Sequence, residues 1–286
     1  MMNPRRIVCL FAMLLLACVP LVLAQGTYTQ IDYPGASQTF CWGINTAGDI
    51  SGSYADAGGN YHGFVLSGGA YTTIDYPGAQ STIVEGINDL HQLVGESSFG
   101  GFLYDTQTQT FTQINYPGAN SSNAIAISNA GVVGGYFASG SGDIQGFALV
   151  DGKYILISPP GTISTSVSGI TAAGKFVGFA NLQSCNCGVS FSYYRGKYKR
   201  IVIPNALATV VGVNNSGTAL VGDHGTSVGA GFVYQSKVLR SLSFPGSSGT
   251  DAIGVNDAGE VVGWFYDANS FAHGYLWTPP ADARRK

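Results

Sequence analysis

The chain carries few residues with which to do chemistry. Glu85, Glu96 and Glu260 are its only glutamates, and charged side chains make up 10% of its 286 residues. Glycoside cleavage needs two carboxyls flanking one bond. The candidate pair is Glu85 with Asp251, which belong to separate repeats, so nothing local sets their separation. His224, in "GDHGTS" beside Asp223, could face an ion, but no second ligand follows at a spacing metal sites use. His62 and His273 each precede a glycine–aromatic pair at the same repeat position, which points to a structural hydrogen bond. His91 stands where a turn normally has glycine, and histidine tolerates positive φ. No "GxSxG" elbow sits at a strand-to-helix junction. A sialidase-like arginine cluster would have to draw on Arg195, Arg200 and Arg240, the first two beside an outer turn. No catalytic, cofactor-binding or metal-ligating residue is assigned.

Cysteines and basic residues add little. Cys9 and Cys18 fall in an N-terminal apolar segment, leaving Cys41, Cys185 and Cys187. An odd count cannot pair fully within one chain. For "SCNCG" a local disulfide is the first expectation, with a soft metal or free thiols as alternatives, and Cys41 is expected to be remote. The run "YYRGKYKR", with Arg195, Lys197, Lys199 and Arg200, reads as a solvated hairpin between a third and a fourth strand.

What positions these residues is a repeat. The prolines of "YPGA" and its variants, Pro34, Pro77, Pro117, Pro160, Pro204 and Pro245, are spaced by 43, 40, 43, 44 and 41 residues. The "GIN" register, at Gly43, Gly86, Ala126, Gly169, Gly212 and Gly254, follows nearly the same steps. Each unit reads as four short strands, in the second unit roughly 83–88, 92–96, 101–104 and 111–115. Gly48, Gly131, Gly174, Gly217 and Gly259 fit a left-handed hairpin position. Gly52, Gly95, Gly134, Gly178, Gly222 and Gly263 lie inside the second strand, where glycine signals a close approach. The third strand supplies Phe64, Phe102, Phe147, Phe232 and Tyr275. In the fourth unit Phe191 comes two residues late, which predicts a shifted or bulged strand.

The first repeat begins with a lone fourth strand, "YTQIDYP", and the last ends on a third strand, "HGYLWTPP". Pairing Tyr28–Asp32 beside Gly274–Trp277 would remove both open edges. The expectation is all-β: a six-bladed β-propeller of four-stranded antiparallel blades over 25–280, closed by the N-terminal strand. The unit carried by Gly86 to Gly95, His62 to Phe64 and Tyr71 to Ala79 resembles the HAF repeat of bacterial secreted proteins. That resemblance covers nearly all of residues 25–280, with "HGF" and "HGY" in place of the namesake triplet. It implies an extracytoplasmic, propeller-like protein and transfers no site residues.

Arg5 and Arg6 precede an apolar run from Ile7 to Val19, followed by Pro20 and a small-residue site. This is expected to be a secretory signal over residues 1–24, cleaved after Ala24. The alternative is a lipid on Cys18 in "LLAC". A disordered tail is expected over 281–286. No second apolar run is long enough to span a membrane. Loss of Arg5 and Arg6 would leave 11 basic against 16 acidic residues, which gives no reason to expect nucleic acid.

In a propeller, loops joining strand four to strand one share a mouth with those joining strand two to strand three. Here these loops are rich in Ser, Thr, Asn and Gln, with Phe40 and Trp42 nearby. The function expected is a secreted, non-catalytic binding or scaffolding module, with carbohydrate or a cell-surface polymer as partner. The alternative is an extracellular hydrolase or lyase at the same mouth.

Overall fold

The computed structural model describes residues 26–185, 187–204, 206–224 and 229–281. The expected leader with its Cys18 alternative, and residues 282–286 of the tail, lie outside the described residues. Twenty-four strands form six four-stranded antiparallel sheets, each ordered from inner to outer strand. Blade two comprises Thr82–Ile87, Gln92–Ser97, Gly100–Asp105 and Thr110–Ile114. Every inner strand touches the inner strands of both neighbours, the sixth meeting the first, so the blades close into a ring: a six-bladed β-propeller.

Closure takes the expected form. Thr27–Ile31 pairs antiparallel with Ala272–Thr278, placing Tyr28 opposite Trp277 and Ile31 opposite Gly274. The Tyr28 hydroxyl accepts from the Ser243 backbone N–H at 3.0 Å, tying the N-terminal strand to blade five as well.

The repeat motifs each have a mechanical role. "YPGA" is a turn in which the Ala36 N–H donates to the Tyr33 carbonyl at 3.1 Å and Gly35 has φ +80, as a type II turn requires after proline. Its tyrosine staples blades together: Tyr33 stacks on Tyr54 at 3.6 Å, and Tyr116 on Phe137 at 3.8 Å. The hairpin glycines all have positive φ, and His91 takes the same position at φ 56. The asparagine of "GIN" links neighbours through backbone carbonyls, Asn256 to Asn45 at 3.2 Å and Asn88 to Ser128 at 3.1 Å.

Second-strand glycines sit under the third-strand rings. Gly95 pairs with Phe102, and a methyl there would collide with the Ile83 carbonyl of the inner strand. In blade three this position is Gly135, opposite Phe147, and not Gly134 as the spacing suggested; Gly134 faces Val167 of blade four. The blade-four expectation also needs correcting. Phe191 lies opposite Gly178 in unbroken register with its second strand, so the third strand is neither shifted nor bulged there. The extra residues extend the strand end at Cys187, next to the Cys185–Cys187 disulfide.

Candidate functional site

Every inner strand carries a register irregularity at the equivalent place, between Cys41 and Gly43, Val84 and Gly86, Ala124 and Ala126, Val167 and Gly169, Val210 and Gly212, and Ala252 and Gly254; the blade-four strand has a second between Thr162 and Ser164. A bulge leaves one residue unpaired and re-aims its side chain. Five of these residues, Trp42, Glu85, Ile125, Ser168 and Ile253, line the throat of the channel on the mouth side. The glycine that follows admits the neighbouring backbone: a methyl at Gly86 would lie 2.7 Å from the Ile125 carbonyl oxygen. Below the throat, Ile44, Ile87, Ile127, Ile170, Val213 and Val255 form an apolar ring, which separates it from a vestibule lined by Asn45, Asn88, Asp89, Asn129, Asn256 and Asp257.

Around the throat the six-fold pattern breaks. Blades six and one contribute rings: Trp42 and Trp264 lie 4.7 Å apart, Phe40 meets Trp264 edge-on at 5.3 Å, and Tyr61 stands 6.2 Å from Phe40. Their polar ends are fixed. Trp42 Nε1 donates to Ser53 Oγ at 3.0 Å, and Trp264 Nε1 to the Tyr266 hydroxyl at 3.2 Å. All three of Phe40, Trp42 and Trp264 remain part-exposed, although a core would bury such rings.

Four carboxyls stand beside this wall as two pairs. Asp251 of blade six is within hydrogen-bonding reach of Trp264 and of Asp223 from blade five. Burial, and then Asp251, push the Asp223 carboxyl up to about 7. Asp223 Oδ1 is buried and has no hydrogen-bond partner among the described residues. In blade two, burial and then Glu96 push Glu85 up to about 8. Burial also raises Glu96, opposed by the Asn123 amide, which donates to it and also bonds the Tyr136 hydroxyl at 2.8 Å. Tyr136 itself is raised to about 12, by burial and then by the two glutamates.

Of the candidate pair Glu85 and Asp251, each instead has another carboxyl as its neighbour, Glu96 for Glu85 and Asp223 for Asp251. His224 does not join Asp223, because successive strand residues point to opposite faces; its Nε2 bonds Ser241 Oγ at 2.9 Å. His62 bridges Asp75 at 3.0 Å and Asp56 at 3.4 Å, and His273 reaches Asp32 at 2.9 Å in the same repeat position. These are structural bonds of the repeat. No group of three or more metal-ligating side chains occurs among the described residues. Cys41 is buried and free, with Gly274 packed over its sulfur. Arg195 and Gly196, both with positive φ, form the turn of the basic hairpin, with the guanidinium 5.1 Å from the Tyr194 ring. Many mouth-loop hydroxyls are already engaged: Thr39, Thr82, Ser122 and Thr250 each accept the backbone N–H of the preceding turn, at 2.9–3.0 Å.

Trp264 was missed in the sequence because it follows a second-strand glycine, where the other repeats have Ser53, Glu96, Tyr136, Phe179 and Asp223. That variability at one repeat position was the available signal. Fold and site together define a β-propeller with an apolar channel and a mouth walled by aromatic rings and carboxyls. No family model matches the chain, and no curated protein matches it in sequence. Among solved structures it is similar to a mutant of AofleA from Arthrobotrys oligospora, at 14% identity and TM-score 0.53, covering 88% of this chain and 89% of that one. It is also similar to a mutant of the Aleuria aurantia lectin in complex with Fucalpha1-6GlcNAc, at 11% identity and TM-score 0.52, covering 86% and 93%. A third is TolB from Acinetobacter baumannii, at 12% identity and TM-score 0.50; 85% of this chain aligns, spanning 64% of that protein's length. At such identities the likeness concerns the fold alone. No helix among the described residues is long and apolar enough to cross a membrane.

Proposed function

We propose that the protein is a secreted, non-catalytic binding module whose mouth takes a saccharide. The observation that carries this reading is the wall of Phe40, Trp42 and Trp264, held part-exposed at the mouth with Asp251 beside it. Pyranose C–H faces pack on such rings, while carboxyl and hydroxyl oxygens accept from sugar hydroxyls; a few well-placed polar groups on an apolar wall are what a small-ligand site needs. The Aleuria aurantia lectin, a six-bladed propeller of similar fold, is described as recognising fucose, which supports a sugar at this architecture. The leader-like N-terminus and the likeness to HAF repeats support a place outside the cytoplasm.

Glycan-array and polysaccharide pull-down binding of the wild type, Trp42→Ala and Trp264→Ala tests the reading. Either substitution is expected to weaken binding at least tenfold, about 1.4 kcal/mol. Binding to no glycan, or binding that survives both substitutions, contradicts it.

One observation favours a hydrolase instead: Asp223 and Asp251 stand within hydrogen-bonding reach of each other, and Asp223 is raised to about 7. Carboxyls in direct contact, however, are closer than the roughly 5 Å used by retaining glycosidases. Reducing-end assay of the same polysaccharides is expected to show no cleavage.

A further inference from the structure

Charge in this protein is sorted around the disc. All eight lysines and arginines of the described residues lie in blades three to five, between Lys153 and Arg240, where only Asp143, Asp151 and Asp223 oppose them. Residues 26–120 and 243–281, which build blades six, one and two, hold twelve acids and no lysine or arginine. The sorting is sharpest on the face away from the mouth, where the hairpins between first and second strands and the turns between third and fourth strands lie. In blades three to five these carry or adjoin Lys153, Lys175, Arg195, Lys197 and Lys237, all exposed, with Asp151 as the one acid among them. In blades six, one and two they carry or adjoin Asp49, Asp89, Asp105, Asp257 and Glu260. Lys199 and Arg200 continue the basic band along the outer strand of blade four. Ion pairs do not account for it, since those among the described residues join histidines to aspartates and none involves a lysine or arginine.

Apolar surface gathers in the same half. Of the nine large apolar side chains exposed among the described residues, six lie between Ile155 and Val238. Ile155 and Leu156 share the outer strand of blade three with Lys153, and Val238 follows Lys237 in blade five. Between blades four and five is a recess of about 210 Å³, lined by Val177, Ile201, Leu220 and Tyr234, with Lys175 and Gly217 from the hairpins of this face. Lysines on outer strands deter edge-to-edge pairing. That role does not explain why blades one and two, with equally open outer strands, have none, nor why aliphatic side chains stand beside the cations.

We propose that this sector, the face away from the mouth on blades three to five, docks the protein on a bilayer surface rich in anionic phosphate headgroups. Clusters of roughly four to eight Lys and Arg are drawn to such a surface, and apolar side chains set among cations enter the boundary between headgroups and acyl chains. A soluble polyanion offers nothing to Ile155, Leu156 and Val238. The acid-rich half of a second copy exposes fewer large apolar groups to meet them, Leu90, Phe99 and Phe271. Docked on this sector, the protein holds its mouth away from the lipid.

Co-sedimentation of the full chain with phosphatidylcholine vesicles, and with vesicles of equal parts phosphatidylcholine and phosphatidylglycerol, tests the proposal. The wild type is expected to bind the anionic vesicles at least about tenfold more tightly than the neutral ones. Lys197→Gln/Lys199→Gln is expected to weaken binding to the anionic vesicles at least about tenfold. Thr72→Glu/Thr112→Glu, which makes the same change in net charge on blades one and two, is expected to bind as the wild type does. Equal wild-type binding to both vesicles, or equal losses in the two double variants, overturns the proposal. Should either variant fail to fold, Lys175→Gln/Lys237→Gln or Thr73→Glu/Thr110→Glu takes its place. In about 1 M salt, where charges are screened beyond about 3 Å, the wild type is expected to keep part of its binding and Ile155→Ser/Leu156→Ser to lose it. Wild-type binding that vanishes there would make the sector a site for any polyanion and overturn the lipid assignment. Oligomers that form without vesicles and dissolve in salt would assign the sector to a second copy and overturn it likewise.

Discussion

Single residues at the mouth carry a cost that pH exposes. Asp223 is raised to about 7 by burial and by Asp251, Glu85 to about 8 by burial and by Glu96, and Asp251 and Glu96 are raised by burial as well. In the unfolded chain all four titrate near about 4. Between roughly pH 4 and the raised values, the folded protein holds protons that the unfolded chain has lost, so stability falls as pH rises through that window. Denaturant unfolding of Asp223→Asn against the wild type isolates the contribution. The variant is expected to gain roughly 4 kcal/mol relative to the wild type on going from about pH 4 to about pH 8, most of it before about pH 7. A difference that does not change with pH would show that Asp223 ionises in the folded state as it does in water. The sequence marked Glu85 and Asp251 as the acids to watch, but not their partners. Asp223 and Asp251 meet because blades five and six pack face to face, and strand pattern within one repeat is silent on what lies across an interface.

At the scale of elements, the strands, hairpins and outer turns were legible because each obeys a local rule repeated six times. Alternation, hairpin glycine and the "YPGA" turn agree in every unit where they occur, and the strands of blade two fall within a residue or two of their expected bounds. The inner-strand bulge was not legible. An unpaired residue leaves the composition of a strand unchanged, and its only trace is that Trp42, Glu85, Ile125, Ser168 and Ile253 vary where the next two residues keep a small residue and then Ile or Val. The element most open to doubt from sequence is the N-terminal strand, since it alone completes a sheet from the far end of the chain. Ile31 is buried like its counterparts Ile74, Ile114 and Ile157. Truncating a buried isoleucine costs about 2–5 kcal/mol. Ile31→Ala and Ile114→Ala are therefore expected to destabilise to a similar extent in urea unfolding. A cost for Ile31→Ala of only a few tenths of a kcal/mol would show the closing strand to be a loose appendage.

On the scale of the whole molecule, symmetry builds the disc and its breaches mark the function. The ring Ile44, Ile87, Ile127, Ile170, Val213 and Val255 is nearly uniform and constricts the channel. Just above it the uniformity ends, with Trp42, Glu85, Ile125, Ser168 and Ile253. Aromatic rings from blades six and one, and acids from blades two, five and six, share one face only because the chain returns to its start. Trp42 and Trp264 are separated by most of the sequence yet lie 4.7 Å apart, while Trp277 is buried in the core of the last blade. Indoles that close couple their excited states. Circular dichroism in the indole absorption bands is the most direct test: the wild type should show an exciton couplet that disappears to the same extent in Trp42→Phe and in Trp264→Phe and persists in Trp277→Phe. A wild-type spectrum equal to the sum of three independent tryptophans would contradict the closed ring and the binding mouth together.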